Sequence, residues 1–593
     1  MYKMFAFVMI AICAIVLESH AQAWQWGRKI AGLGDQRVVN GYVVRSDNCN
    51  NISVAGIWKS DSIKIGVKTY YNHHVGHNNY ECYIAKYDSS GNVLWSDASI
   101  LGQALPYSLA TDKNGNTYLY GCFWTDSVQF GSHLLVSDYP DSCLLPWCMW
   151  GNGCYFIIKY DPVGNILWSR KGDIVMGLGG GIVLDDAGNI YVSGTYWNAT
   201  MKIGSDTLYN SSYKKGEVFL AKYDTAGNAV WARKYGDTAD ENTSGITIAN
   251  NKIYLAGQFK SPILSLGSST LTLHTTVPAY NIGNVYLMQL DTAGNPLWAR
   301  SARGSAVPFD IAADSIGGIY IGGQIFDTTL VSFNTDTLRN AHLRWGGFVT
   351  RYDSAGDVTW ARGLYNTTTT LTTYGFGQGN RLWSVAVDPC NNVWVSGAIS
   401  GDTGGILIDS GVILHAPLGS WDPLYLISYS YSGDLLQSQS LRSGSDNGGK
   451  VGLTCTPRGQ VLLSSNFTGG TLIFGPDTLS SSGSAPMFLA KYNPALGCTS
   501  TIVCSDGGGG GDITAVSSFI FRDDFSLYPN PAHNELHIKP FDAIANISIY
   551  NTLGQYINCG VDFTKGVINT SHLPVGIYFI KINGTFVRKF VKG

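Results

Sequence analysis

Short apolar runs alternate with tight polar stops along most of the chain, and the stops recur in a fixed phrase. ECYIAKYDSSGNVLW (81–95) returns as CYFIIKYDPVGNILW (154–168), EVFLAKYDTAGNAVW (217–231), NVYLMQLDTAGNPLW (284–298) and GGFVTRYDSAGDVTW (346–360). A degraded copy, LYLISYSYSGDLLQ, lies at 424–437, and a truncated one, MFLAKYN, at 487–493. Each full copy is two β-rich runs joined by D-x-x-G-[ND]. The Asp starts the turn by bonding its own backbone, and the Gly accepts the positive φ that closes it. A second hairpin phrase precedes each of these, as in SLATDKNGNTYLYG (108–121), GIVLDDAGNIYVSG (181–194) and SVAVDPCNNVWVSG (384–397). Its last residue marks the period: Gly56, Gly121, Gly194, Gly257, Gly323, Gly397 and Ser465, at spacings of 65, 73, 63, 66, 74 and 68. Two hairpins predict four strands per unit, and seven units of this length predict propeller blades rather than a solenoid.

The ends of the array test that expectation. The seventh unit stops after MFLAKYN and lacks a fourth strand. Trp26-Gly27-Arg28-Lys29 matches the fourth-strand phrase Trp231-Ala232-Arg233-Lys234, so the N-terminal strand is expected to complete the last blade and close the ring. These phrases resemble bacterial seven-bladed propeller families built on D-x-x-G-N-x-Y-V-x-G (SBBP-like) repeats. The resemblance covers residues 24–498, or ~68 residues per unit, and implies fold alone, because propellers host enzymes and binding modules alike.

Composition agrees with many short strands and tight turns. Of 593 residues, 71 are Gly, 34 Tyr, 23 Phe and 16 Trp, and only 14% are charged. A long helical or coiled-coil chain is excluded. A net charge of −3 gives no footprint for nucleic-acid phosphates. Residues 1–23 read as a signal peptide: Lys3, the apolar run Met4–Leu17 and Ala21-Gln22-Ala23 fit the three regions of an export signal. No later run is long enough to span a membrane, so no transmembrane segment is expected in the mature chain. Cys143/Cys148/Cys154 and Cys498/Cys504 are candidates for pairing after export, with free thiols as the alternative.

Beyond Cys498 a Gly-rich linker (499–523) leads to a small β domain (524–593) with strand phrases at 525–538, 546–557 and 568–582. Tyr528-Pro529-Asn530-Pro531 opens it, Gly554 follows Leu553 at its middle, Gly576 and Tyr578 follow Leu573-Pro574, and Arg588, Lys589 and Lys592 end it. These motifs resemble the type A C-terminal sorting domain of the type IX secretion system of Bacteroidetes. That resemblance implies a β-sandwich recognised by the type IX machinery. It also implies Sec export, passage across the outer membrane, and release or attachment at the cell surface.

The chain carries no catalytic signature and no cofactor motif. Asp88, Asp161, Asp224, Asp291 and Asp353 are explained as turn starters, since calcium needs six to eight oxygens and each turn offers one carboxylate. Arg170, Arg233, Arg300 and Arg362 follow their Trp by two positions. They read either as a ring of anion-binding arginines or, preferred here, as guanidinium groups stacked at the blade edge. Loops between second and third strands should gather on one face, and they look long and irregular. They bring candidate ligand-binding residues: His74 and His77, Trp147 and Trp150, Tyr213, Tyr280, Trp345 and Trp421, with no metal expected at the His pair. Exposed aromatics on a rigid scaffold could stack on sugars or anchor a protein. The expected whole is an all-β protein: a seven-bladed β-propeller and a sorting β-sandwich, acting as a secreted or surface binding protein for a glycan or protein. The alternative is a carbohydrate-active enzyme, a polysaccharide lyase or hydrolase, on the same scaffold.

Overall fold

The computed structural model describes residues 23–33, 39–72, 80–138, 153–212, 214–274, 282–326, 330–334, 336–339, 345–367, 380–399, 405–408, 411–417, 423–441, 451–467, 470–481 and 485–494. Toward the C-terminus it describes 526–529, 531–539, 547–551, 556–557, 559, 561–562, 566–582 and 586–593. Every regular element among them is a strand, and the chain divides into two compact units, Met1–Cys504 and Ser505–Gly593.

The first unit is a propeller-like succession of antiparallel sheets. In the first, Val39–Ser46, Ile52–Trp58, Glu81–Tyr87 and Val93–Leu101 pair in chain order. The same order returns through Arg381–Val387, Val393–Ala398, Leu424–Tyr429 and Leu435–Leu441. Beyond it Gly452–Cys455, Val461–Asn466 and Met487–Asn493 pair in sequence. The last of these takes Ala23–Ile30 as its antiparallel neighbour, Trp26 opposite Lys491 and Arg28 opposite Leu489. The first strands of successive sheets touch in order. Val39–Ser46 meets Ala104–Thr111, then follow Ile166–Leu184, Glu241–Ala249, Ala306–Ala313, Arg381–Val387 and Gly452–Cys455, which returns to Val39–Ser46.

The D-x-x-G-N turns form as their residues require. Asp224 accepts the Ala226 and Asn228 amides through Oδ1 and the Asn228 side chain through Oδ2, at 2.8–2.9 Å. The Asn228 backbone bond, with the others, holds the Asp224 carboxyl below its ordinary range. Gly227 takes φ +78°, a conformation side chains resist.

Most of the fourth strands latch onto the turn of the next sheet. The Arg170 guanidinium donates to the carbonyls of Gly227 and Ala226 at 2.9 Å. Arg362 donates to Gly433 at 2.9 Å, and the Trp360 indole to Tyr431 at 2.9 Å. Arg28 and Trp26 of the N-terminal strand do the same to Gly91, Ser90 and Ser89 at 3.0–3.2 Å. In these pairs the guanidinium lies 5.2–5.6 Å from the Trp ring centroid. These arginines therefore serve packing between units, their N–H groups spent on turn carbonyls.

The loops between second and third strands are more regular than the sequence suggested. Each described one contains a short hairpin, such as Thr200–Ile203 with Asp206–Tyr209 or Gly470–Phe474 with Asp477–Ser481. The hairpin folds over the outer edge strand. Asp206 Oδ2 accepts the Ala232 amide at 2.8 Å, Asp336 Oδ2 the Ala361 amide at 2.9 Å, and Asp477 Oδ2 the Gly27 amide at 3.1 Å. An unpaired edge is thereby covered, which discourages pairing with a second chain. The cysteine expectation also shifts. Cys154 is a buried free thiol. Cys390 is disulfide-bonded, and because the six other described cysteines are free, its partner lies outside the described residues.

Buried Lys491 donates to the Ser89 carbonyl at 2.9 Å but forms no ion pair within 4.0 Å among the described residues, unlike its counterparts. Lys86 pairs with Asp47 at 2.9 Å, and Arg351 with Asp314 at 3.1 Å. At the equivalent turn of the last sheet Thr456 stands in place of Asp, beside buried Lys491. Burial, then the nearby Arg458, pulls the Lys491 ammonium down to about 8. Between that value and the unfolded value near ~10.4 the unfolded chain holds more protons, so stability rises with pH across the window by roughly 1–3 kcal/mol. Thr456→Asp should flatten that rise and lift the melting temperature at pH 7, as followed by thermal melts from pH 7 to 10.

The second unit has two four-stranded sheets. Ser526–Tyr528 pairs with Glu535–Lys539, which pairs with Val567–Asn569, itself joined to Val561–Asp562. Ile547–Asn551 pairs with Tyr556–Ile557 and with Gly576–Ile582, which pairs with Phe586–Lys592. Leu536, Ile538, Ile549, Ile568, Ile580 and Phe590 fill its core.

Candidate functional site

The first strands of the sheets surround the centre of the ring of contacts, and five of them break register at one level. The pairing skips Tyr42 between Gly41 and Val43, and Tyr107 between Pro106 and Ser108. It skips Ser244, Phe309 and Trp383 in the same way. In every case the break lies opposite the glycine that ends the G-N-x-Y-V-x-G phrase: Gly56, Gly121, Gly257, Gly323 or Gly397. The reason is steric. A Cβ on Gly397 would strike the Arg381 carbonyl, and one on Gly257 the Asn242 carbonyl. Such bulges re-aim a side chain and are common beside functional sites.

The bulged residues make contact from one unit to the next. Phe309 and Trp383, from adjacent first strands, lie 4.7 Å apart at 31°. Arg381 places its guanidinium 5.6 Å from the Trp383 centroid and 6.0 Å from that of Trp345. Trp345 in turn packs on Phe326 at 4.5 Å and 56°. Its carbonyl accepts the Asn366 side chain at 2.9 Å. A continuous chain of four aromatic rings and one guanidinium thus crosses the seam between two units at the ends of their strands.

Two charged residues of the first strands interact with one another. Asp310 follows the bulged Phe309. Its Oδ2 accepts Ser384 Oγ at 2.8 Å and the Val385 amide at 2.9 Å, and its Oδ1 its neighbour's amide at 2.9 Å. Burial pushes its carboxyl up, and Arg45, from the first strand of a distant unit, pulls it back. Arg45 itself donates to the Val44 carbonyl at 3.1 Å.

Of the sequence-predicted ligand residues, Trp345 is half-buried in this cluster. His74, His77, Trp147, Trp150, Tyr213, Tyr280 and Trp421 lie outside the described residues. Among the described residues no three His, Cys, Asp or Glu side chains gather to hold a metal ion. Sequence reasoning missed Phe309, Trp383 and Arg381. The available signal was the glycine closing each second strand, since a lone Gly in a strand marks a bulge or a close backbone approach.

The sorting motif is partly in view. Tyr528 ends its strand opposite His537, Pro529 and Pro531 are exposed, and Asn530 and Gly554 lie outside the described residues. Gly576 pairs with Lys592, and Lys589 pairs with Phe579. Tyr578 is buried against Phe590 at 5.5 Å, and its hydroxyl donates to the Pro574 carbonyl at 2.8 Å. Lys592 is only 8% exposed, so the basic C-terminal residues form a strand of the sheet rather than a free tail.

Residues 526–592 match the family of secretion system C-terminal sorting domains. The chain is therefore exported by type IX secretion to the cell surface or extracellular space, and its C-terminal domain is what the machinery recognises. No helix among the described residues is long and apolar enough to cross a membrane. Over 453 residues, 63% of this chain, it is 25% identical to an uncharacterized WD repeat-containing protein, L264, of Acanthamoeba polyphaga mimivirus; it spans 31% of that relative's length. Among solved structures it is similar to a polysaccharide lyase, an ulvan lyase, at 11% identity and TM-score 0.37, covering 74% of this chain and 93% of that one. It is also similar to the quinohemoprotein alcohol dehydrogenase of Comamonas testosteroni, at 10% identity and TM-score 0.34, covering 84% and 79%. Likenesses this distant carry no argument about activity.

Proposed function

We propose that the chain is a seven-bladed β-propeller, closed by its N-terminal strand and followed by a linker and the sorting domain, that works outside the cell as a binding protein for a glycan or a protein. In this reading a signal peptide (1–23) precedes the propeller (24–498), and the producing cell belongs to the Bacteroidetes. The ligand is taken on the face that carries the loops between second and third strands. The observation that supports it most is the joining of Trp345 to Arg381, Trp383 and Phe309 at the strand ends of two neighbouring units. Indoles and a stacked guanidinium are the side chains that dominate binding hot spots, and loops on a rigid scaffold are where recognition residues collect.

The test is a binding screen of the secreted protein on glycans and on surface proteins, with turnover followed in the same wells. Replacing Trp150, Trp345 and Trp421 together by Ala should weaken the captured ligand about tenfold or more while the fold persists. Unchanged binding to an identified ligand would count against the loop face. Release of new sugar ends would move the assignment to the lyase or hydrolase alternative.

A further inference from the structure

Among the described cysteines only Cys390 is held in a disulfide bond, and its surroundings narrow the choice of partner. It is the third residue of the turn Asp388-Pro389-Cys390-Asn391-Asn392, where equivalent turns carry Ser90, Asn114, Ala226 or Ala293. The turn uses only the backbone of this position. The Cys390 amide donates to Asp388 Oδ1 at 2.9 Å, and the residue is exposed. The turn is anchored on two sides. Asn391 Oδ1 accepts the amide and hydroxyl of Ser315, from the preceding sheet, at 3.0 and 2.7 Å. Asp388 Oδ2 accepts the Trp394 indole at 3.0 Å, and the Trp394 ring lies 6.0 Å from that of Tyr492 in the last sheet.

The strand Met487–Asn493 therefore ends beside this turn, and buried Pro494 follows it. Cys498 and Cys504 come next in the chain. At ~3.3–3.6 Å per residue the tether from Pro494 spans at most ~14 Å to the first and ~36 Å to the second, and a disulfide adds ~6 Å between Cα atoms. The remaining cysteines outside the described residues are Cys13, Cys143 and Cys148. Cys13 falls in the export signal proposed above, which is cleaved from the mature chain. Cys143 and Cys148 stand between Asp138 and Gly153. The strand Gly153–Tyr160 meets its D-x-x-G-N turn only at its far end, ~20 Å along. Its sheet is also three steps from that of Cys390 in the succession of first strands.

We infer that Cys390 is bonded to one of the two cysteines that follow the last strand, Cys498 or Cys504, and that this bond staples the end of that strand to the preceding sheet. Cys498 has the shorter tether and so the higher effective concentration. The bond forms by thiol–disulfide exchange. The two thiols give up two protons and two electrons to a protein disulfide donor of the oxidising export compartment, which leaves as a dithiol. The role of the staple follows from the neighbours of the strand. Met487–Asn493 pairs with Val461–Asn466 on one side and with Ala23–Ile30 on the other, with Ala23 opposite Asn493. The first and last strands of the array thus meet at the point where the chain leaves for the sorting domain. Strand ends of this kind open before the rest of a fold. A covalent tie at the exit holds the strand on which both pairings depend.

The first experiment is peptide mapping of the full secreted chain, with thiols blocked and no reductant, read by mass spectrometry. The peptide carrying Cys390 should be linked to the one carrying Cys498 and Cys504, and a further cut between those two identifies the partner. Either pairing supports the staple. Cys390 found alkylated, or linked to Cys13, Cys143, Cys148 or a second chain, would overturn it. The second experiment is hydrogen exchange. Cys390→Ser, and Cys498→Ser combined with Cys504→Ser, should each speed exchange about tenfold or more at Met487–Asn493 and Ala23–Ile30, leaving Ile319–Ile325 unchanged. The two variants cut opposite ends of one bond, so their agreement separates the staple from damage to the Cys390 turn. Reduction of the folded native chain gives the same comparison if a variant fails to accumulate. Exchange unchanged at Met487–Asn493, or raised equally in every sheet, would show that the bond does not hold this strand.

Discussion

Deleting residues 526–592 should leave the protein inside the outer membrane, with the surface and medium fractions falling by an order of magnitude or more. The matched sorting domain accounts for the whole of that segment. Export depends on a folded recognition element, and this one is held by a small core: Leu536, Ile538, Ile549, Ile568, Ile580 and Phe590 between two four-stranded sheets. A narrower lesion should act the same way. Tyr578→Ala removes a ring packed 5.5 Å from Phe590 and a hydroxyl bonded to Pro574. Truncating a buried aromatic costs about 3–5 kcal/mol, a large share of what a domain this small can hold. Cell fractionation and protease shaving of intact cells measure both variants. Surface display of the truncated chain at the full-length level would disprove the dependence on this domain.

Trp26→Ala combined with Arg28→Ala should destabilise the first unit by about 4–7 kcal/mol. Trp26 is only 6% exposed, rests its ring near Gly91 and donates to Ser89. Arg28 bonds Gly91, Ser90 and Asp477. The N-terminal strand is therefore held on both sides: by Met487–Asn493 along its length and by a turn more than sixty residues away in sequence. The indole alone is worth about 3–5 kcal/mol, and the lost hydrogen bonds add about 1–2. Lys29→Ala is the control. Its side chain is exposed and reaches the Ser480 carbonyl, so it should cost no more than about 0.5 kcal/mol. Denaturant melts and limited proteolysis at the N-terminus report the difference. Equal effects of Lys29→Ala and the double variant would show that the strand is peripheral to the fold.

Much of the architecture was legible because its signals are local. D-x-x-G-N specifies its own turn through side-chain bonds at positions two and four, as Asp224 shows. The Trp-x-Arg phrase recurs because each copy must reach the same kind of turn in the next unit. The short hairpins over the edge strands were missed although they repeat. Their arms, as in TMKI and DTLY, are four residues long, too short for an alternation to stand out. What recurs is a left-handed turn residue at φ near +60°, a glycine at Gly66, Gly204 and Gly267 but an asparagine at Asn334. The anion-ring reading of the arginines could not be separated from the packing reading until their partners were seen.

The sequence by itself determined the strand class, the four-strand repeat and the identity of the C-terminal sorting domain, because turn chemistry and apolar alternation act within a few residues. Which side chains meet at the centre was decided by tertiary structure alone. Phe309, Trp345, Trp383 and Arg381 are spread over more than seventy residues. They come together only because a bulge opposite Gly323 and another opposite Gly397 turn two strands of different units toward one seam. A glycine in the sequence marks where the backbone can come close. What comes close to it is set by the neighbouring strand.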